Sequence, residues 1–148
     1  VNWIDSYSVG IVEIDDQHKT LMRCIGSVEQ AIQAGEGWSA VHATLLTLAK
    51  YVDIHFAVEE SLMRIHAYPE IDAHVREHLQ FRENLKLMQG KVLREDTSGE
   101  MVAFLKGWWS GHILTRDKHY GCYLPRLGGG PWNLIVRRWF ALRRFFAG

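Results

Sequence analysis

Four apolar stripes at helical spacing run through the first 122 residues, and a histidine is set into or beside each of them. Leu21, Ile25, Val28 and Ile32 follow His18. Leu45, Leu48 and Val52 lead into His55, Glu59 and Leu62. His74, His78, Phe81, Leu85 and Met88 share one side, and Met101, Leu105, Trp108 and His112 keep register. Steps of three and four residues put side chains on one face of an α-helix, and such a face has to be buried. The spacing predicts helices over about 16–34, 39–65, from 69 or 70 into the polar run before 98, and from 97 or 98 to about 122. AGEG at 34–37, AYP at 67–69 and GGGP at 128–131 break the pattern. Asp15 or Asp16, Ser39, and Thr97 or Ser98 are the expected N-caps. Residues 1–14 carry no helical period and predict an arm laid along the body. Short connections between long helices favour an all-α, antiparallel up-down-up-down four-helix bundle, and no strand alternation competes.

The length of 148 residues fits one domain with a real core. Seventeen basic and seventeen acidic side chains cancel, which argues against nucleic acid as a partner. Their distribution is uneven, because residues 118–148 hold six Lys or Arg and no acid, while 1–117 hold all the acids. Cys24 and Cys122 are too few for a disulfide framework. With no N-terminal basic segment leading into an apolar run, the expected setting is reduced and cytoplasmic.

Eight histidines are unusual for this length. His55 and Glu59 stand four apart, as do His74 and His78, so each pair aims two donor atoms at one point inside a bundle. His18, His112 and Asp117 add three more. A lone buried histidine is ordinarily a satisfied core residue. Seven donors converging in one core are different, since each unpaired buried polar group costs about 1–3 kcal/mol and a lone carboxylate more. A metal centre removes that cost. Five imidazoles and two carboxylates exceed the four ligands of structural zinc, and calcium and magnesium prefer oxygen. Two octahedral-leaning ions sharing carboxylate bridges fit, and iron suits the mixed set.

The fourth helix poses a geometric problem. Five residues turn a straight α-helix by about 500°, so Asp117 starts about 140° off the face of His112. The spacing predicts a hydrogen-bond irregularity between 112 and 118, or an Asp117 that reaches in from the flank. His119, seven residues after His112, returns to nearly the same face and is the rival donor. His42, His66 and His119 itself are read as surface or half-buried.

His18, then H55-F-A-V-E59, H74-V-R-E-H78 and H112-I-L-T-R-D117, together resemble the ligand set of the hemerythrins. I14-D-D-Q-H18, H55-F and Y68-P resemble its bacterial branch, the bacteriohemerythrins. The resemblance covers about residues 3–123 and implies a di-iron bundle over 1–123, with 124–148 as an extension. It implies reversible dioxygen binding by a carrier, store or deliverer, not an enzyme, at two non-heme irons joined by an oxo or hydroxo bridge. One iron would take His74, His78 and His112, the other His18 and His55, with Glu59 and Asp117 bridging. The second iron is then one ligand short, and dioxygen takes the open position. Phe56, Trp109 and Tyr120 would line the oxygen pocket, and Trp109 stands where the family commonly has a smaller aliphatic. The alternatives are a sensor of dioxygen, nitric oxide or iron, and a di-iron oxidase or peroxidase.

After GGGP the resemblance says nothing. At helical pitch Trp132, Ile135, Trp139, Leu142 and Phe146 form one stripe, with Arg137 and Arg144 facing away and Arg138 and Arg143 flanking. The spacing predicts a helix over 132–146 hinged at 128–130, too short and charged to span a bilayer. Its apolar face would be covered by the bundle, another subunit, a partner protein or an anionic membrane surface at the inner face of the membrane.

Overall fold

The computed structural model describes residues 3–92 and 98–124; the expected tail helix and its hinge lie outside them. Three long helices, α1 (Val12–Gln33), α2 (Trp38–Ile65) and α3 (Ile71–Val92), are followed by a composite fourth. That fourth helix consists of α4 (Ser98–Trp108), a π-helical segment (Trp109–Asp117) and α5 (Lys118–Tyr123). α1 packs on α2 and α4, and α3 packs on the same two, which closes the four-helix ring. The stripes meet inside it: Leu21, Val28, Leu45, Leu48, Phe81 and Leu105 belong to one buried apolar cluster. A smaller cluster of Val9, Ile14, Met63, Tyr68, Tyr120 and Leu124 closes the end where the arm lies. Among the described residues no helix is long and apolar enough to cross a membrane.

The helix starts depart from the side-chain caps that the sequence suggested. α1 begins at Val12, with Ile11 at the N-cap position and no side-chain cap. Asp15 is used elsewhere: its carboxylate accepts the Val9 N–H at 2.8 Å and the Ser8 hydroxyl at 2.5 Å. A buried N–H in the arm needs that acceptor more than an exposed first turn does. α2 starts after Gly37, so Ser39 lies inside its first turn rather than capping it. Both α1 and α2 end in a left-handed residue, Gly35 (φ 67°) and Ala67 (φ 50°). In each case the next N–H reaches back five residues, Glu36 to Ala31 at 3.0 Å and Tyr68 to Met63 at 2.9 Å.

The arm makes a single 3₁₀ turn at Asp5–Tyr7 and crosses α5, where the Lys118 ammonium donates to the Ser6 carbonyl. Gly121 lies so close to the arm that a Cβ there would fall inside the contact distance of the Val9 carbonyl oxygen, and backbone cannot step aside as a side chain can. Gly121→Ala is therefore expected to lower stability by about 1–3 kcal/mol and to expose the Val9 amide to hydrogen exchange. Unchanged melting and unchanged protection would show that the arm is not held there.

Candidate metal centre

All seven predicted donors are buried in the layer between the two apolar clusters. Each helix supplies its share: His18 from α1, His55 and Glu59 from α2, His74 and His78 from α3, and His112 and Asp117 from the π segment. The π segment is the anticipated irregularity. Closing each turn with an i→i+5 bond brings the fifth residue back to the starting face, so His112 and Asp117 point to one place. Asp117 is fully buried, 3.1 Å from His74 Nε2 and 3.2 Å from both His112 Nε2 and His18 Nε2. His119 is not in the set, because its ring is exposed and bonds the Tyr68 hydroxyl. His42 and His66 are half-buried and outside it.

The donor atoms fall into two overlapping groups. Those of His74, His78, His112, Glu59 and Asp117 lie within 4.8 Å of one another, and so do those of His18, His55, Glu59 and Asp117. Glu59 meets histidines of two other helices and its own, with His78 Nε2 at 3.4 Å, His55 Nε2 at 3.5 Å and His18 Nε2 at 3.8 Å.

The chemistry of these atoms fits a cation. Nε2 of His18, His55 and His78 and all four oxygens of Glu59 and Asp117 are buried without an ordinary hydrogen bond. His74 Nε2 and His112 Nε2 face each other at 3.1 Å. Burial holds His55 and His78 well below the usual imidazole range, with neighbouring imidazoles pushing the same way. The neutral ring is the form that binds metal. Burial and the charge of Asp117 push Glu59 well above the carboxylate range. Burial pushes Asp117 up too, but the charge of His112 and the nearby Nε2 atoms of His112, His18 and His74 outweigh burial and hold the group well below that range.

Three partners that the sequence reading missed fix the rings from outside. Gln17 Oε1 lies 3.0 Å from Nδ1 of His55, Glu60 Oε1 lies 3.1 Å from Nδ1 of His78, and Glu77 Oε2 lies 2.9 Å from Nδ1 of His112. A carboxylate or amide oxygen only accepts, so each Nδ1 must carry the proton, which leaves the Nε2 lone pair turned inward. Their sequence signal was adjacency, since Gln17 precedes His18, Glu60 follows Glu59 and Glu77 precedes His78.

The aromatic walls are distributed around the set. Phe56 lies flat on His78, centroids 3.7 Å apart, and beside His55. Trp109 stands edge-on to His18 and Tyr120 edge-on to His74. Trp108, read from sequence only as part of a stripe, stacks on His112 at 4.8 Å. It also lines a surface groove of about 310 Å³ between α3 and the fourth helix.

Residues 9–124 match the family model described as the hemerythrin HHE cation binding domain. Among the relatives is a bacteriohemerythrin of Stenotrophomonas maltophilia (strain R551-3), 33% identical over 80% of this chain and 77% of its own. A myohemerythrin of Theromyzon tessulatum is 29% identical over 80% of this chain and 88% of its own. The wild-type hemerythrin crystal structure superposes with a TM-score of 0.75 at 27% identity, covering 82% of this chain and 95% of that one.

Since the outer partners orient the inward nitrogens, Gln17→Ala, Glu60→Ala and Glu77→Ala are each expected to weaken metal binding by about 10–100-fold while helicity is retained. Competition against a chelator measures this, and three unchanged affinities would show that the partners are only surface bonds.

Proposed function

We propose that this chain, which belongs to the hemerythrin family, binds dioxygen reversibly at two non-heme iron ions held by the seven buried donors. The observation that carries this reading is the pair of overlapping donor groups, one with three imidazoles and one with two, which share Glu59 and Asp117. When bound, an iron pair supplies dioxygen with two electrons that return when the gas leaves. His74, His78 and His112 would hold one ion, His18 and His55 the other, and Glu59 and Asp117 would be shared between the ions together with an oxo or hydroxo group.

The rest of the site's work is done by the chain itself. Phe56, Trp109 and the apolar clusters on both sides keep water away, which protects a reduced centre from side reactions. Gln17, Glu60 and Glu77 keep the ring tautomers fixed, so binding and release need no rearrangement of the histidines. The shorter donor group includes His18, whose ring meets the edge of Trp109, so Trp109 borders the side where coordination is incomplete. Carriage is favoured over catalysis because Glu60 and Glu77, the carboxylates that touch the histidines from outside, are both taken by imidazole protons. A working oxidase would need such a group free to move a proton.

Iron-loaded protein should hold two irons per chain. Anaerobic reduction should bleach its visible absorption, air should restore a ligand-to-metal band, and argon should remove that band again. Glu59→Gln and Asp117→Asn are expected to lose the second iron and the reversible band. One metal per chain in the wild type, or a change that argon does not reverse, would refute carriage.

A cytoplasmic location with contact to an anionic membrane surface through 131–148 is proposed on that segment's sequence alone. Binding to phosphatidylserine vesicles should fall with salt and disappear when 131–148 are deleted, with the dioxygen spectrum kept. Equal vesicle binding by both forms would remove the membrane from the proposal.

A further inference from the structure

Three of the five tyrosines meet at the arm end of the bundle. The fully buried Tyr120 ring stands edge-on to the His74 imidazole, 5.7 Å between centroids, and its hydroxyl faces Glu59 without a hydrogen bond of ordinary geometry. Tyr68 is next, 6.2 Å from Tyr120, and Tyr123 follows 5.2 Å from Tyr68. Exposure rises along the series from 0% through 4% to 48%. The Tyr68 hydroxyl is 2.9 Å from Nδ1 of His119, whose side chain is 61% exposed and has Glu70 Oε2 at 3.8 Å.

Packing alone does not explain the Tyr120 hydroxyl, which unlike those of Tyr68 and Tyr123 has no hydrogen bond of ordinary geometry. A buried phenol without a partner costs about 1–3 kcal/mol, and phenylalanine fills nearly the same space. The larger apolar cluster beyond the donor set has both residue types, with Phe56, Phe81 and Phe104 ring against ring and Tyr7 and Tyr51 packed against it. Unsatisfied polar groups in a native core call for a functional account. What separates phenol from phenyl is one-electron oxidation, which is easiest when the phenolic proton can leave with the electron. Burial, then the charge of Glu70, push the Tyr68 phenol up, so at neutral pH the proton is there to be given.

We propose that Tyr120, Tyr68 and Tyr123 form a one-electron path from the donor set to the surface, with His119 accepting the Tyr68 proton, and that it carries oxidising equivalents out of the core when hydrogen peroxide reacts there. The inference rests on reading the donor set as an iron centre. Reducing one hydrogen peroxide to two waters breaks the O–O bond and consumes two electrons and two protons. Each electron leaves Tyr68 as its phenolic proton passes to His119; the exposed Tyr123 then refills Tyr68, which takes its proton back from His119, while Tyr123 gives its own proton to solvent and is left as a neutral tyrosyl radical. A dissolved one-electron donor of the ascorbate class then returns the phenol.

The test mixes iron-loaded full-length chain with hydrogen peroxide. Freeze-quenched paramagnetic resonance and a nitroso spin trap, mapped by peptide mass spectrometry, then locate the radical. The expected result is a tyrosyl radical on Tyr68 and trap adducts on Tyr123. Tyr68→Phe should reduce the Tyr123 adducts about tenfold, and His119→Gln should reduce the radical yield by a similar factor. Adducts concentrated on Trp108, which stacks on His112, or Tyr123 labelling unchanged by Tyr68→Phe, would overturn the path. A second arm needs no reaction at iron: a ruthenium photo-oxidant on the exposed Cys122, in a Cys24→Ser background, injects a hole beside Tyr123. Flash-generated tyrosyl absorbance should then reach Tyr68 and form about tenfold more slowly in His119→Gln; rates that ignore both substitutions would overturn the path. An intact reversible dioxygen band with a failed flash arm refutes the path alone, and the converse refutes the carrier reading alone.

Discussion

Everything in this molecule is arranged around a cost: seven metal-type donor atoms are taken out of water into the middle of a helical bundle. Two carboxylates and five imidazoles there have few hydrogen bonds to spend on one another, and the inward nitrogens and oxygens crowd within a few ångströms. A core of this kind is stable when a cation stands among the donors, and then binding energy and folding energy are the same quantity. The apolar clusters above and below serve the same end. They deny water to the layer, which raises the cost of leaving the donors unpaired and strengthens their hold on positive charge.

The outer partners show how four separate helices are made to agree on one centre. Gln17 on α1 holds a histidine of α2, Glu60 on α2 holds one of α3, and Glu77 on α3 holds one on the π segment. Each helix thus fixes a ligand of the next helix in chain order. Sliding or rotating any one of them by a single residue would break a bond outside the centre as well as a contact within it. The two carboxylates are tied in turn to neighbouring cations, Glu60 to Arg82 at 3.6 Å and Glu77 to Arg116 at 2.9 Å.

Much of this was legible in the sequence, for identifiable reasons. The stripes gave the four helices because their period is that of the helix itself, and the seven donors stood out because they interrupt apolar faces. The five-residue step from His112 to Asp117 announced the π segment, since no straight α-helix could satisfy it. The caps of α1 and α2 were not legible. Asp15 has the right chemistry for a helix start, but the buried arm competes for the same carboxylate, and only the tertiary fold decides. Gln17, Glu60 and Glu77 stayed hidden although they adjoin ligand residues, because each reaches across to a different helix, and one-dimensional spacing carries no record of which helices are neighbours. Phe56, Trp109 and Tyr120, grouped from sequence as one wall, face different histidines.

The π segment also sets what the fourth helix exchanges for its site. A π turn holds one residue more than an α turn without ending the helix. Wound as a regular α-helix, the same residues would turn Asp117 about 140° off the face of His112, and Tyr120 and Gly121 with it, so the carboxylate common to both donor groups, the aromatic contact to His74 and the seat of the arm all depend on the wide turn. What the fourth helix gives up is a regular hydrogen-bond ladder, and what it keeps is one carboxylate within reach of both donor groups.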